Sequence, residues 1–165
     1  MSSTGPGGVT DVSSTAASSG VVAVRALDPA AGGAVVARLD RGTGVLDPTR
    51  HSLRNRPVDL SRGASVVLTS DKRRTELMAS RGLGWTYAVV PLIEVHGGTA
   101  YGVPADVARA LADELVTRGV RETTAVIAPL RAHADHLDQG LPVASSPLGR
   151  YMGLGGGGLS ALGDF

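Results

Sequence analysis

Cysteine is absent from the 165 residues of this chain, and aromatic residues are scarce. Without cysteine the protein can form no disulfide, zinc–thiolate site, iron–sulfur cluster or thiol nucleophile. With three tyrosines, one tryptophan and one phenylalanine, it has few rings on which the bases of a nucleic acid could stack. Because the net charge is only +1 as well, we do not expect nucleic acid among its partners.

Long hydrophobic runs are also missing. No stretch approaches the roughly 18 uninterrupted apolar residues that would cross a membrane, and the N-terminus has neither the basic start nor the apolar run of a signal peptide. We therefore expect a soluble, cytoplasmic protein that has no membrane partner. The length of 165 residues fits one domain, since domains of roughly 100 to 150 residues are the most common.

Composition divides the chain into three parts. Thirteen of the first twenty residues are Ser, Thr or Gly, which predicts a disordered head over residues 1–20, because such a segment buries too little apolar surface to fold. The last seventeen residues contain seven Gly, which predicts a flexible tail over residues 149–165. The folded domain is therefore expected over residues 21–148.

Local patterns in this domain alternate between strand and helix signals. Short β-branched runs predict strands, and apolar residues at every third or fourth position predict helices. The predicted strands are 21–24, 34–37, 65–69, 86–95 and 123–128; the predicted helices are 71–81 and 104–118, with a helix or extended turn over 129–137 and a long loop over 41–62. This order predicts a small α/β domain with a single sheet, mixed or partly parallel, and two to three helices.

Two local signals bear on the sheet topology. The sequence His-Gly-Gly-Thr at residues 96–99 is typical of a tight hairpin, which would make this part of the sheet antiparallel. Pro91 lies within the predicted strand 86–95 and lacks the N–H group that a sheet requires, so it predicts an edge position or a bulge.

Positive charge is concentrated in the middle of the chain. Residues 50–81 contain eight cationic and three anionic side chains, whereas residues 1–49 contain three and four, and residues 82–165 contain five and eight. The middle segment therefore carries a net charge of +5. It predicts a basic face that would attract an anionic small molecule or an acidic protein surface.

The basic segment contains a candidate anion site, formed by Ser70, Lys72, Arg73 and Arg74. If a helix begins at Ser70, its free N–H groups and the three cations would together hold a phosphate or carboxylate. The alternative is that Asp71 offsets part of the charge and that the long side chains extend into water.

A second candidate site is a group of histidines with one carboxylate. His133, Asp135 and His136 follow the predicted strand 123–128, and His96 would reach the same sheet edge, with Glu94 on its own face of the strand. These residue types bind zinc and related ions, so a divalent metal is the cofactor that the four residues would hold. The alternatives are a general acid–base role or ordinary surface histidines.

Two functional hypotheses follow. The first is a non-catalytic binding or protein-interaction domain that uses the basic face around residues 50–81. The second is a small enzyme or sensor for a phosphorylated or anionic metabolite, with the anion site at residues 70–74 beside the histidine site. Both leave a homo-oligomer open, and the enzyme hypothesis requires the two sites to share one cleft.

Overall fold

The computed structural model describes residues 20–25, 34–71, 73–82, 86–120 and 123–150. Apart from residues 20, 149 and 150, the predicted head and tail lie outside these ranges.

The described chain forms two antiparallel sheets, each of four strands in sequence order, followed by helices. The first sheet contains β1 (Val21–Arg25), β2 (Val35–Asp40), β3 (Val45–Pro48) and β4 (Val58–Asp59). The second contains β5 (Ser65–Ser70), β6 (Arg74–Ser80), β7 (Tyr87–His96) and β8 (Thr99–Gly102). The helices are α1 (Ala105–Thr117), α2 (Thr123–Asp138) and the single turn α3 (Pro147–Arg150), with 3-10 turns at Leu60–Arg62 and Val143–Ser145.

The prediction of a mixed or partly parallel sheet is wrong. Every strand pair in the described residues is antiparallel, and the helices follow the strands instead of alternating with them. Two elements were predicted in the wrong class, a helix at 71–81 and a strand at 123–128, and these created the apparent alternation. The predicted loop 41–62 also contains the short strands β3 and β4.

Residues 71–81 form a hairpin turn and strand β6 where a helix was predicted. Asp71 suggested a helix start, but its carboxylate accepts hydrogen bonds from the N–H groups of Arg73 and Arg74, 2.8 and 2.9 Å away, in the turn between β5 and β6. An aspartate makes the same local bonds at a helix N-terminus and in a tight turn. The strand is favoured because Thr75, Leu77 and Ala79 are all fully buried on one side, a spacing of two.

Residues 123–128 form the start of α2 where a strand was predicted. Their β-branched residues favoured a strand, but Val126, Leu130, His133 and Ala134 are all buried at spacings typical of a helix. Pro129 lies inside this helix. The helical face continues past the proline, so packing of the whole stripe against the core outweighs the local preference for a strand.

The remaining predictions of local structure are confirmed. Strands occupy the predicted runs near residues 21, 35, 65 and 87, and residues 96–99 form a hairpin between β7 and β8. Pro91 lies at an irregularity in the pairing of β6 with β7, where Thr75 faces Ile93 and Glu76 faces Pro91. The predicted helix 104–118 is α1, and Gly119, at φ +67°, ends it as the left-handed residue of a Schellman motif.

One apolar core is shared by both sheets and by the helices. The fully buried residues include Leu39 and Leu46 of the first sheet and Leu77 and Leu92 of the second. Leu111 and Leu115 of α1 and Leu130 of α2 join the same cluster. No helix in the described ranges is long and apolar enough to cross a membrane.

A buried carboxylate fastens α1 to the first sheet. The side chain of Glu114 is 5% exposed and lies 3.4 Å from the Nε of Arg41 and 3.8 Å from the Nη2 of Arg118. The Arg118 guanidinium also donates to the backbone carbonyl of Arg41, in the turn after β2. The helix end and the β2–β3 turn are therefore joined through one desolvated ionic cluster, whose loss is costly.

We expect Glu114→Gln to lower the free energy of unfolding by about 1–3 kcal/mol, because it leaves two partly buried guanidinium groups without their carboxylate. Urea denaturation measures this loss. Asp113→Asn is the matched control: Asp113 is 57% exposed and pairs with Arg131, so its removal costs at most about 1 kcal/mol. Equal losses for the two variants would contradict the anchoring role of Glu114.

Candidate functional site

The candidate anion site lies in the tight turn between β5 and β6 and not at a helix start. Ser70 is buried at the end of β5, and Lys72 lies outside the described residues. The Asp71 carboxylate accepts hydrogen bonds from the backbone N–H groups of Arg73 and Arg74. These bonds lower the pKa of Asp71 from its usual value, and the bond from Arg73 has the larger effect. The backbone groups that were expected to hold an anion are therefore already bonded within the turn.

Arg74 lies on the face of β6 opposite to the buried Thr75, Leu77 and Ala79, and two carboxylates contact it there. Its guanidinium lies 3.2 Å from Glu76 and 2.9 Å from Glu94. The register brings Arg74 directly opposite Glu94 on β7. Its positive charge is consequently balanced within the protein, which reduces its attraction for a free anion.

His96 extends the same network by one more contact. The Nε2 of His96 lies 2.9 Å from Glu94 Oε2, while Arg74 contacts Glu94 Oε1. The imidazole also lies beside the ring of Tyr101 on β8, with centroids 5.8 Å apart. The side chain of His96 is 66% exposed, so it is accessible from solvent.

Two cavities meet at this network, and together they are called the groove below. The turn cavity, about 670 Å³, is lined by the β5–β6 turn and the end of β7, including Asp71, Arg73 and His96. The inter-sheet cavity, about 510 Å³, lies between the two sheets. Both volumes fall in the range of ligand sites in proteins.

The inter-sheet cavity takes its lining from both sheets. Val35 and Val36 of β2 and Pro48 of β3 face Val89 and Pro91 of β7. The segment after β3 adds Thr49, Arg50 and Asn55, and the second sheet adds Arg74, Glu76 and Glu94. Six of the twelve lining residues are apolar and six are polar or charged, so the cavity combines aliphatic surface with charged and hydrogen-bonding groups.

Arginines on the rim of the groove differ from Arg74 in their pairing. Arg50 and Arg73 line the groove and are exposed, and neither forms a salt bridge with a carboxylate among the described residues. Their charge is therefore directed to solvent or to a bound partner.

The candidate metal ligands are dispersed over the structure. His133 and His136 lie on α2, whereas His96 lies at the end of β7, and the Asp135 carboxylate is bound to Arg109 of α1 at 2.8 Å. Within the ranges that the structure describes, no group of three or more His, Asp or Glu side chains could hold a metal ion. The four residues are thus not brought together.

His133 instead joins α2 to two other segments by hydrogen bonds. It is fully buried, and its Nε2 donates to the Val103 carbonyl oxygen at 2.8 Å, since a carbonyl can only accept. Its Nδ1 lies 2.9 Å from the Ser146 hydroxyl. Burial is the main cause that lowers its pKa from the ordinary value of 6.5, so the neutral ring accepts the hydroxyl proton of Ser146.

His136 makes a similar connection one turn further along α2. Its Nε2 lies 2.8 Å from the Pro142 carbonyl oxygen and 3.1 Å from the Ser145 hydroxyl. Because a carbonyl can only accept, the Nε2 of His136 carries the proton and donates it to the Pro142 oxygen. The same nitrogen therefore cannot accept a hydrogen bond from the Ser145 hydroxyl. Both histidines fasten the segment around residues 142–146 to the helix.

Sequence reasoning missed most of the groove. Glu94 was placed correctly beside His96 by the strand period, but nothing local connected it to Arg74, twenty residues earlier. Val35 and Val36 lie in the predicted strand 34–37, but Pro48 and Arg50 lie in the predicted loop 41–62, and only the packing of the two sheets brings them near Val89. No short motif marks these residues.

Comparisons of the chain with protein-family models, with curated proteins and with solved structures find no match.

The lowered pKa of His133 predicts that the protein loses stability in mild acid. Between the lowered pKa of the folded state and about 6.5, the unfolded chain binds more protons, so the free energy of unfolding falls as the pH falls below about 6.5. Urea denaturation between about pH 7.5 and about pH 5 measures this slope. In His133→Gln we expect a lower stability at neutral pH, by about 1–3 kcal/mol, and a flatter dependence on pH.

His51→Gln is the control for this prediction, because His51 is exposed and its ring lies 2.6 Å from Asp47. It should retain the wild-type loss of stability in acid that burial of His133 causes. A wild-type stability that does not change over this range, or an unchanged slope in His133→Gln, would show that the ring is not a buried neutral base.

Proposed function

We propose that this protein is a non-catalytic binding domain that holds an acidic segment of a partner protein in the groove. The observation that carries the proposal is the inter-sheet cavity of about 510 Å³, in which aliphatic side chains from both sheets lie beside polar and charged ones, with exposed arginines at its edge. Protein interfaces commonly combine an apolar centre with a polar rim, and arginine is enriched in them.

The aliphatic residues of the inter-sheet cavity favour a ligand with hydrophobic side chains. Val35, Val36, Val89 and Pro91 present aliphatic surface to the cavity, and they are only partly buried. Covering this surface releases water from it, at roughly 25 cal/mol for each Å². A purely polar metabolite would leave that contribution unused, whereas an aliphatic side chain of a peptide would fill the cavity.

The rim charges favour an acidic ligand. The carboxylates of Glu76 and Glu94 are bound to Arg74, while the Asp71 carboxylate is bound to backbone N–H groups. Arg50 and Arg73 keep their charge directed outward. Such charges steer an acidic partner toward the groove and fix its register more than they add to affinity.

A protein segment is favoured over a phosphorylated metabolite by the same network. Phosphate sites generally combine free backbone N–H groups with uncompensated cations, but here Asp71 accepts from the N–H groups of Arg73 and Arg74, and two glutamates compensate the Arg74 side chain. A dianion placed beside Arg74 would lie close to Glu76 and Glu94 as well. The carboxylates of a peptide carry less charge and can be spaced along the rim arginines.

The enzyme alternative depends on one pair of residues. Glu94 and His96 lie in the groove at hydrogen-bond distance, which is the arrangement of a general base and its orienting carboxylate. His133 and His136 are engaged in internal contacts with backbone carbonyls. The alternative therefore has an acid–base pair without an anion-binding turn, and the binding hypothesis uses more of the groove.

Selection of ligands from a random peptide library tests this proposal without assuming a sequence. We expect the enriched peptides to carry a net negative charge and at least one aliphatic residue, and to bind less tightly at higher salt because exposed charges are screened. Enrichment of basic or neutral peptides, or no enrichment at all, would contradict the proposal.

Charge reversal at the rim then tests the site. Arg50→Glu and Arg73→Glu should each weaken an enriched peptide about two- to tenfold, measured by fluorescence anisotropy, because each replaces an attraction by a repulsion. Arg81→Glu is the matched control: it lies in the same basic segment, but at the far end of β6, about 20 Å from Arg74. Equal weakening in all three variants would indicate a diffuse charge effect and not this groove.

A further inference from the structure

Glu94 connects a titratable side chain, His96, to an arginine of the groove, Arg74. One oxygen of the carboxylate contacts Arg74 at 2.9 Å and the other contacts His96 at 2.9 Å. A charged imidazole and the Arg74 guanidinium are both cations at one carboxylate, so each reduces the attraction of Glu94 for the other. His96 and Arg74 therefore compete for the same negative charge.

We propose that His96 regulates the groove: when its imidazole gains a proton, it draws on the charge of Glu94 and leaves more of the positive charge of Arg74 available to an acidic segment. This inference rests on the proposed function for its consequence in binding, but the change at Arg74 takes place in the free protein. Binding should accordingly strengthen in mild acid.

The charges around His96 make one proton a large change. His96 contacts Glu94 on its own strand and the Tyr101 ring on β8. On β6, Arg74 contacts both Glu94 and Glu76. The β5–β6 turn adds Asp71 and Arg73 to the lining of the same cavity. Among the described residues that line the turn cavity, three carboxylates thus face two guanidinium groups. A charged His96 offsets this difference of one charge among the described lining residues.

The exposure of the pair is suited to a reversible response. The side chain of His96 is 66% exposed and that of Glu94 is 27% exposed, so the proton can reach the ring without unfolding. Histidine is the ordinary side chain that changes charge between about pH 5 and pH 8. The four histidines of the chain are then the groups to separate by substitution.

The first arm of the test uses the free protein. The side-chain Nε–H resonance of Arg74 is followed by NMR from about pH 7.5 to about pH 5.5, in the wild type, in His96→Gln and in His51→Gln. His51 is the matched control because it is 57% exposed and paired with Asp47, outside the groove lining. We expect the Arg74 signal to titrate in the wild type and in His51→Gln and to stay constant in His96→Gln.

The second arm measures binding of a short synthetic peptide in which glutamate and leucine alternate. Its affinity should rise about two- to fivefold from about pH 7.5 to about pH 5.5, the range expected for one exposed charge pair. His96→Gln should lose this dependence, and His96→Arg should bind at neutral pH as tightly as the wild type does in acid.

The two arms separate failure of this inference from failure of the proposed function. An Arg74 signal that does not titrate in the wild type, or that still titrates in His96→Gln, overturns the regulatory role whatever the peptide does. A titrating Arg74 with no peptide binding at any pH leaves the regulatory contact in place and overturns the proposed binding function. Binding that weakens in acid overturns the direction of the regulation.

Discussion

The alternation of side chains along β6 is the constraint on which both the core and the groove depend. Thr75, Leu77 and Ala79 are fully buried, and Arg74 and Glu76 lie on the opposite face. Because β6 pairs with β5 on one side and β7 on the other, a slip by one residue would turn the leucine outward and bury the arginine. The cost of burying an unpaired charge fixes the register.

The same register creates the polar network. It sets Arg74 opposite Glu94 and leaves the glutamate shared between an arginine and a histidine. The groove therefore contains charges that are satisfied internally, surrounded by arginines that are not in salt bridges with described carboxylates. A domain of this kind can discriminate between acidic and basic ligands without burying an ion pair, because the rim arginines attract or repel a ligand that approaches the inter-sheet cavity.

The strands and the first long helix could be predicted from the sequence because their signals are local. Val22 and Val24 alternate with exposed positions, and the stripe through Leu111 and Leu115 ends at Gly119. The topology could not be predicted, because Asp71 makes the same hydrogen bonds in a hairpin turn as it would at a helix start. Only the partners of β6, far away along the chain, distinguish the two.

The candidate sites show a similar division. Sequence reasoning identified His96 and Arg74, but as members of two different sites, since their connection runs through Glu94 and a strand pairing that was not foreseen. It also assigned His133 to a metal site, although its ring is fully buried and bonded to Ser146 and to the Val103 carbonyl. Residue type alone does not distinguish a metal-binding histidine from one that makes internal hydrogen bonds. The burial of the side chain and its hydrogen-bond partners do.

The most direct measurement of the central claim, that an acidic segment occupies the groove, is an amide NMR titration with the peptide of alternating glutamate and leucine. We expect perturbed resonances for residues 34–36, 49, 50, 55, 89 and 94, which line the inter-sheet cavity. Perturbations confined to α1 and α2, or spread evenly over every exposed arginine, would contradict it.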